Sequence, residues 1–168
     1  MAIFSTTYSN FGDLLKHQLW DSSDALTRMA ETFAQMADKA EDAELTRRFT
    51  QMSAACDQNL QALKDVFKAV DVEEGRETCQ ATKGLVAEAN DTIGADGCSD
   101  VVDAALVANA QRLAHYLIAT FGTVRNFARR DGHPDAAEKL QQMLDVWYGF
   151  DRGLTDLAES RLNAEAVS

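Results

Sequence analysis

The chain of 168 residues carries 16 lysines and arginines against 27 aspartates and glutamates, a formal net charge of −11 at pH 7. This balance excludes a generic nucleic-acid binder and a protein that binds anionic membranes, because both need a net basic surface. Hydrophobic residues make up 46% of the chain, too many for a disordered acidic segment. We therefore expect one domain over residues 1–168, with a core from about residue 10 to residue 162.

Hydrophobic residues spaced three and four apart predict two long helices in the first part of the chain. The first helix begins after a cap at Ser9 or Asn10 and continues to about Ala40. The second runs from about Leu45 to Val70. Because the connection between them is short, we expect the two helices to be antiparallel neighbours.

The middle of the chain predicts a short helix between two breaks. The charged segment 72–77 indicates a loop, and Thr78 is the expected cap of a helix over Cys79–Thr92. A second break follows at Gly94–Gly97, and Ser99 is the expected cap of the next helix. The short helix therefore lies between the second and third long helices.

Two further long helices complete the predicted fold. The third carries its hydrophobic positions from Val102 to Phe127 and ends before Gly132, which suits a left-handed helix terminus. Pro134 suits the first turn of the fourth helix. The core-facing positions of this helix run from Ala137 to Ala158, and one of them is occupied by an ionisable residue, Asp151. The prediction is an all-α, up-down four-helix bundle with one short extra helix before the third long helix.

The best-known chemistry of such bundles is a dinuclear carboxylate site, which takes one Glu from each of two helices and a Glu-x-x-His pair from each of the others. The chain has no Glu-x-x-His, because the residues three positions before its histidines are Leu14, Arg112 and Arg130. One carboxylate is present in the middle layer of the four helices, which is too few for two metal ions. That layer consists of Ser22, Leu26, Cys56, Asn59, Leu113, Leu117, Trp147 and Asp151.

Several short strings in the chain occur in a distinctive order and spacing. They are Thr78-Cys79-Gln80-Ala81, Gly84-Leu85, Asp103-Ala104-Ala105-Leu106, Ala110-Gln111-Arg112, His115-Tyr116 and Gly122-Thr123. With them, the chain resembles the YciE/YciF-type ferritin-like family over nearly its whole length, from Phe11 to Glu159. This bacterial, stress-associated family has a largely unknown biochemical role. The resemblance implies a ferritin-like bundle that commonly forms dimers.

The positions that match the family's metal ligands carry other side chains here. They are Leu26 on the first helix, Ala114 and Leu117 on the third long helix, and Trp147 and Asp151 on the fourth, where the Asp alone keeps its carboxylate. A buried carboxylate costs several kcal/mol when no cation balances it, whereas burying a hydrophobic side chain contributes ~1.5–3 kcal/mol. We therefore expect that the dinuclear centre has been lost and that its positions are filled by hydrophobic side chains.

The polar residues that remain near the bundle centre have structural interpretations. We expect Asp151 to be held by Asn59, Tyr116, Ser22 or a water molecule. We expect His115 to make a hydrogen bond between helices, and Cys56 to be a small core residue. The three cysteines fit neither a disulfide framework nor a paired-thiolate zinc pattern, which favours the cytoplasm.

These expectations favour a non-enzymatic, homodimeric bundle that has no cofactor and acts through an unidentified protein partner, without nucleic acid or membrane. One alternative is a degenerate metalloprotein that binds a single Fe, Mn or Zn ion for redox or storage work. The weak candidates for its ligands are Asp151, His115, Asn59, Cys56 and Ser22. Another alternative is a small-molecule binder, which would use space beside the small residues Ser22, Ala55 and Ala114 unless Leu26, Leu117 and Trp147 fill it.

Overall fold

The computed structural model describes residues 7–75, 77–163 and 166. These residues form five α-helices followed by one π-helical turn, and no strand is found among them. The helices are α1 (Phe11–Lys39), α2 (Ala43–Ala69), α3 (Gln80–Ile93), α4 (Ser99–Arg130) and α5 (Pro134–Leu157), and the π-helical turn is Ala158–Leu162. The predicted all-α fold, with a short helix before the third long one, is confirmed. No helix in this part of the chain is long and apolar enough to cross a membrane.

Three of the predicted helix boundaries follow from local chemistry. The side-chain oxygen of Asn10 accepts a hydrogen bond from the backbone N–H of Asp13 at 2.9 Å, so Asn10 is the cap of α1. Gly132 has a φ of +89°, the left-handed conformation that ends α4 with least strain in a glycine. Pro134 occupies the first turn of α5, where its missing N–H costs no hydrogen bond.

Two predicted caps are wrong by one residue. Cys79 caps α3 instead of Thr78, because its own backbone N–H is held by Asp24 and its sulfur accepts from the backbone N–H of Thr82. Ser99 is the first residue of α4, so Cys98 is the capping residue, and its side chain makes no capping hydrogen bond. The first shift follows from a tertiary contact, since Asp24 on α1 holds the backbone of Cys79.

The helices pack as two antiparallel pairs. Helix α1 packs chiefly against α2, and α4 chiefly against α5, while α1 also meets α4 and α2 also meets α5. The ammonium group of Lys39, at the end of α1, donates to the carbonyl of Ala95 at 2.7 Å. Helix α4 therefore starts at the end of the bundle where α2 starts, and the two run in the same direction. The connection through α3 thus carries the chain back along the bundle, giving the order up, down, down, up. The alternating up-down order expected from the sequence therefore does not hold between α2 and α4, because α3 runs along the bundle between them.

A carboxylate fixes the corner between α1 and α2. The backbone N–H groups of Glu41 and Asp42 donate to the two carboxylate oxygens of Asp103 at 3.2 and 2.8 Å. Asp103 is buried, and this burial raises the pKa of its carboxyl group even though both hydrogen bonds oppose the rise. Asp42 in turn pairs with Arg161 from the π-helical turn, which lowers the pKa of Asp42.

The segment between α2 and α3 crosses the face of Trp20. The indole N–H of Trp20 donates to the carbonyl oxygen of Glu73 at 2.9 Å, and the ammonium of Lys16 lies 4.6 Å from the centre of the ring. Gly75 lies directly against the indole, and a Cβ atom at this position would overlap the ring. A glycine is required here because only a residue without a side chain lets the backbone approach so closely.

Candidate functional site

The centre of the bundle is packed with hydrophobic side chains. Leu26, Ala114, Leu117 and Trp147 are each 0% exposed and belong to one continuous hydrophobic core. The indole of Trp147 stacks on the ring of Phe33, with 6.0 Å between the ring centres. These are four of the five positions at which the sequence resemblance leads us to expect the family's metal ligands, and none of these four side chains carries a lone pair suited to a hard metal ion.

Asp151, the fifth position, was predicted to lie at a core position, but its side chain does not face the bundle centre. Its side chain is 18% exposed and turns toward α4 at the edge of the bundle. One carboxylate oxygen lies 3.0 Å from Nε2 of His115 and accepts a hydrogen bond from the amide of Gln111 at 3.2 Å. The physical reason is that an ionised carboxylate costs several kcal/mol in an apolar centre and much less at a partly hydrated edge.

The three side chains predicted as partners of Asp151 bond elsewhere. Tyr116 donates to Asp21, and Asn59 and Ser22 bond within their own helices. A water molecule as partner stays a prediction. The amide nitrogen of Asn59 donates to the carbonyl of Ala55 at 2.6 Å, and the hydroxyl of Ser22 donates to the carbonyl of Gln18 at 2.6 Å. Each side chain satisfies its polar group one helical turn back. Neither of these hydrogen bonds involves Asp151.

Cys56 is a core residue, as predicted. Its thiol is fully buried, and burial raises the thiol pKa, with the charge of Asp57 adding to the rise. A thiol that stays protonated is neither a good nucleophile nor a good metal ligand. Cys56 therefore acts as a small hydrophobic side chain.

His115 on α4 makes a contact between helices, because its Nε2 lies 3.0 Å from a carboxylate oxygen of Asp151 on α5. The hydrogen bond expected of His115 stays a prediction. Its side chain is 62% exposed, so the pair is open to solvent on one side. An imidazole nitrogen can bind zinc or iron, and so can a carboxylate oxygen. This pair supplies two ligands, however, and water would have to supply the others. In the part of the chain that the structure describes, no group of three or more His, Cys, Asp and Glu side chains is arranged to hold a metal ion.

A partly buried polar network joins α1, α3 and α4, and the sequence patterns did not predict it. The sulfur of Cys79 lies 2.8 Å from the phenol oxygen of Tyr116, and the hydroxyl of Thr82 donates to the same sulfur at 2.9 Å. The phenol O–H of Tyr116 donates to the carboxylate of Asp21 at 3.1 Å. Burial raises the pKa of Tyr116, with the Cys79 contact and the Asp21 charge adding to it, so the phenol remains a donor.

Asp24 anchors this network to the start of α3. It accepts a hydrogen bond from the backbone N–H of Cys79 at 2.9 Å and pairs with Nε of Arg28 at 2.7 Å. Burial alone would raise the pKa of Asp24, but the hydrogen bonds from Arg28 and Cys79 outweigh it and lower the pKa. We call Asp21, Asp24, Arg28, Cys79, Thr82 and Tyr116 the α3 network. Its one sequence signal was that Thr78-Cys79 and His115-Tyr116 both occur among the strings that carry the family resemblance.

Comparison with known proteins decides the family. Residues 10–167 match the model of the family described as a domain of unknown function, DUF892. The chain belongs to the DUF892 family. Protein YciF of Escherichia coli (strain K12) is 31% identical over 158 residues, which cover 92% of this chain and 93% of YciF. The predicted resemblance to the YciE/YciF-type family is thereby confirmed.

Solved structures give the same answer for the fold. The crystal structure of the E. coli stress protein YciF superposes on this DUF892 chain with a TM-score of 0.89 and 29% identity, covering 93% of this chain and 99% of that one. YcfI from Rhodopseudomonas palustris superposes with a TM-score of 0.85 and 29% identity, covering 92% and 98%. The DUF892 chain is therefore a ferritin-like helical bundle.

Proposed function

We propose that this protein is a ferritin-like bundle without a dinuclear metal centre, which acts as a dimer through contacts with other proteins and not as a catalyst. The observation that carries the proposal is the packing of Leu26, Ala114, Leu117 and Trp147 inside the core, at positions that match the family's ligands. The similarity to YciF, a stress protein by name, supports a role in stress for this chain as well. Its three free thiols support a reducing compartment such as the cytoplasm.

The energetics favour this reading of the centre. A dinuclear site requires several carboxylates facing one another, and each is costly to bury unless a cation balances it. Each leucine in its place instead contributes ~1.5–3 kcal/mol from burial of apolar surface. The substitutions thus turn a centre that would need metal for stability into one that stabilises the fold by itself.

The same packing argues against a small-molecule site at the bundle centre. Ser22, Ala55 and Ala114 are themselves buried, together with Leu26, Leu117 and Trp147. The packing of these large side chains in the same core as the small ones therefore argues against this alternative. We propose that the centre holds no ligand.

Elemental analysis tests the proposal directly. Protein purified without chelator is measured as isolated and after addition of Fe²⁺, Mn²⁺ or Zn²⁺, beside the Asp151→Asn variant. Asp156→Asn is the matched control, since it removes an exposed carboxylate from the same helix. We expect well under one metal ion per chain in every sample. A stoichiometric metal that is lost in Asp151→Asn but kept in Asp156→Asn would overturn the proposal.

A second candidate function rests on one specific contact, the 3.0 Å approach of His115 Nε2 to Asp151. This pair is the site that a single Fe, Mn or Zn ion would use, with water completing the shell. The metal analysis repeated on a His115→Ala variant distinguishes it from adventitious binding. Loss of the metal in both His115→Ala and Asp151→Asn supports the single-ion site, whereas metal retained in both contradicts it.

The dimer is tested by light scattering after size exclusion. We expect a mass twice that of the chain over a wide concentration range. A monomer at every concentration would contradict the dimeric part of the proposal and leave the argument about the centre untouched.

A further inference from the structure

An apolar cleft lies at the corner where α3 ends and α4 begins. Its volume is about 340 Å³, and its apolar lining comes from both helices and the loop between them. Val101 is 49% exposed beside this cleft, which makes it one of the most exposed large hydrophobic side chains in the described chain. The lining residues are Asp91, Thr92, Ala95, Asp96, Gly97, Cys98, Val101, Val102 and Ala105. We call this cleft the α3–α4 cleft.

Aspartates surround the apolar floor of the α3–α4 cleft. Asp91 and Asp96 line it, and Asp100 is exposed in the first turn of α4. Within the described ranges none of these three carboxylates has a salt-bridge partner. The nearby ammonium of Lys39 is engaged with the carbonyl of Ala95. The rim therefore presents uncompensated negative charge.

The acidic surface continues on the other side of the same loop. An adjoining cleft of about 280 Å³ shares Ala95, Asp96, Gly97 and Val102 with the first and is also lined by Asp38 and Glu41. Both of these carboxylates are exposed. The whole corner thus combines one apolar depression with a broad negative surround.

We propose that the α3–α4 cleft binds a basic amphipathic helix of a partner protein. An aliphatic side chain of that helix fills the space beside Val101 and Val102, and its lysines or arginines face Asp91, Asp96 and Asp100. This is the helix-in-groove mode of recognition, with apolar anchors and complementary charge. The inference rests on the proposed function, since it names the surface through which the protein contacts are made.

Charge also decides against the other occupants of the cleft. A second copy docked about a two-fold axis would bring the same aspartates against one another. Nucleic acid and anionic lipid would be repelled by the same carboxylates. A cationic partner gains from them, both in affinity and in the rate of encounter.

The chain offers an internal comparison for the test. Val146 on α5 is also an exposed valine, 43% against 49% for Val101, and it borders a cleft between α2 and α5. That cleft is lined by Lys139, Gln58 and Gln142 and by no carboxylate. Substitution at Val146 therefore controls for a charge added to any exposed valine.

Binding is measured with a synthetic helical peptide of leucine and lysine, with the leucines on one face. Its fluorescence anisotropy is titrated with wild type, Val101→Lys and Val146→Lys, and a peptide of the same composition with scattered leucines is the second probe. We expect affinity for the amphipathic peptide to fall by about tenfold or more in Val101→Lys, about 1.4 kcal/mol, and to be unchanged in Val146→Lys. Equal loss in both variants, or equal binding of the scattered peptide, would overturn the proposal.

Cys98 gives an independent readout because it lines the cleft and is exposed, whereas Cys56 and Cys79 are buried. Alkylation of the native protein should add one label, at Cys98, and the amphipathic peptide should slow it. Unchanged alkylation at saturating peptide would overturn the proposal. So would a doubling of mass that depends on Val101, which would assign the cleft to a second copy.

The two proposals fail in different ways. No peptide binding, together with no metal, contradicts the cleft and leaves the metal-free bundle standing. Stoichiometric metal, together with peptide binding that Val101→Lys abolishes, contradicts the metal-free bundle and leaves the cleft standing.

Discussion

The bundle centre and the α3 network both involve α1 and α4, but the centre is fully buried and hydrophobic, whereas the α3 network is partly buried and polar. At the centre, Leu26 and Leu117 meet other hydrophobic side chains and have no polar partner. In the α3 network, Asp24 is retained and receives hydrogen bonds from Arg28 and from the backbone of Cys79. The comparison teaches that this fold keeps a carboxylate where donors lie within reach and has hydrophobic side chains where none do.

The largest expected effect comes from placing a carboxylate at the centre. Leu26→Glu puts a charge in the hydrophobic core, at a position where the side chain is 0% exposed. We expect a loss of about 3–5 kcal/mol in the free energy of unfolding at pH 7, measured by urea denaturation. Leu26→Met, which keeps the side chain apolar, should cost less than about 1.5 kcal/mol. Full stability of Leu26→Glu after addition of Fe²⁺ or Zn²⁺ would show that the centre still accepts metal.

A smaller effect is expected from removing one donor in the α3 network. Tyr116→Phe deletes the hydroxyl that contacts Cys79 and donates to Asp21, and it removes one hydrogen-bond partner from each of them in a partly buried site. We expect a loss of about 1–3 kcal/mol by urea denaturation. Tyr148→Phe removes an exposed hydroxyl and should change stability by less than about 0.5 kcal/mol. Equal effects in the two variants would contradict the importance of the network.

The backbone that leads into the α3 network should tolerate change less than the middle of the helix that follows. Gly75→Ala places a methyl group against the indole of Trp20, and we expect a loss of about 1 kcal/mol with altered tryptophan emission. Gly84 lies inside α3, and a Cβ atom added there has no neighbour within 4 Å. Gly84→Ala should therefore raise the free energy of unfolding by about 0.5–1 kcal/mol. Thermal unfolding followed by circular dichroism compares the two. A gain in Gly75→Ala would contradict the close approach to Trp20.

The smallest expected effect is a difference in pH dependence between two retained carboxylates. The pKa of Asp24 is lowered from its ordinary value of 3.8, so the stability it contributes is present above 3.8 and is lost as the pH falls through its folded pKa. The pKa of Asp103 is raised from 3.8, so its contribution is present below 3.8 and is lost as the pH rises through its folded pKa.

The check is the unfolding free energy of Asp24→Asn and Asp103→Asn relative to wild type between pH 3 and pH 7. As the pH rises, the unfolding free energy of Asp103→Asn should increase relative to that of wild type, and that of Asp24→Asn should decrease relative to it. Because each variant is compared with the same wild type, contributions from the other titrating groups largely cancel. Parallel slopes for the two variants would contradict the opposite shifts.

Much of the fold was predictable because it follows from local pattern. Leu19, Phe33 and Leu140 lie on the three-and-four spacing from which the helices were predicted, and all three are fully buried. Asn10 and Gly132 marked helix ends through capping chemistry and backbone conformation that depend only on nearby residues. The filling of the bundle centre by hydrophobic residues was predicted from the side chains that stand at the positions matched by the family resemblance.

The polar contacts were less predictable because they depend on geometry across the fold. The helical position of Asp151 agrees with the pattern, but its carboxylate turns to His115 at the edge, and spacing carries no information on that rotation. Tyr116 and Asp21 are 95 positions apart in the chain, so nothing local joins them. Cys79 replaced Thr78 as a cap because a distant residue, Asp24, holds its backbone.

The two tryptophans of this chain differ in the part of the structure that holds them. Trp147 is enclosed by the core, whereas Trp20 is tied by one hydrogen bond to the crossing segment at Glu73. Local opening of that segment would release Trp20 into water while Trp147 keeps its surroundings. Tryptophan fluorescence can therefore distinguish two kinds of opening. A change in emission from Trp20 alone would report local opening of the segment between α2 and α3, whereas a change from both tryptophans would report unfolding of the whole bundle.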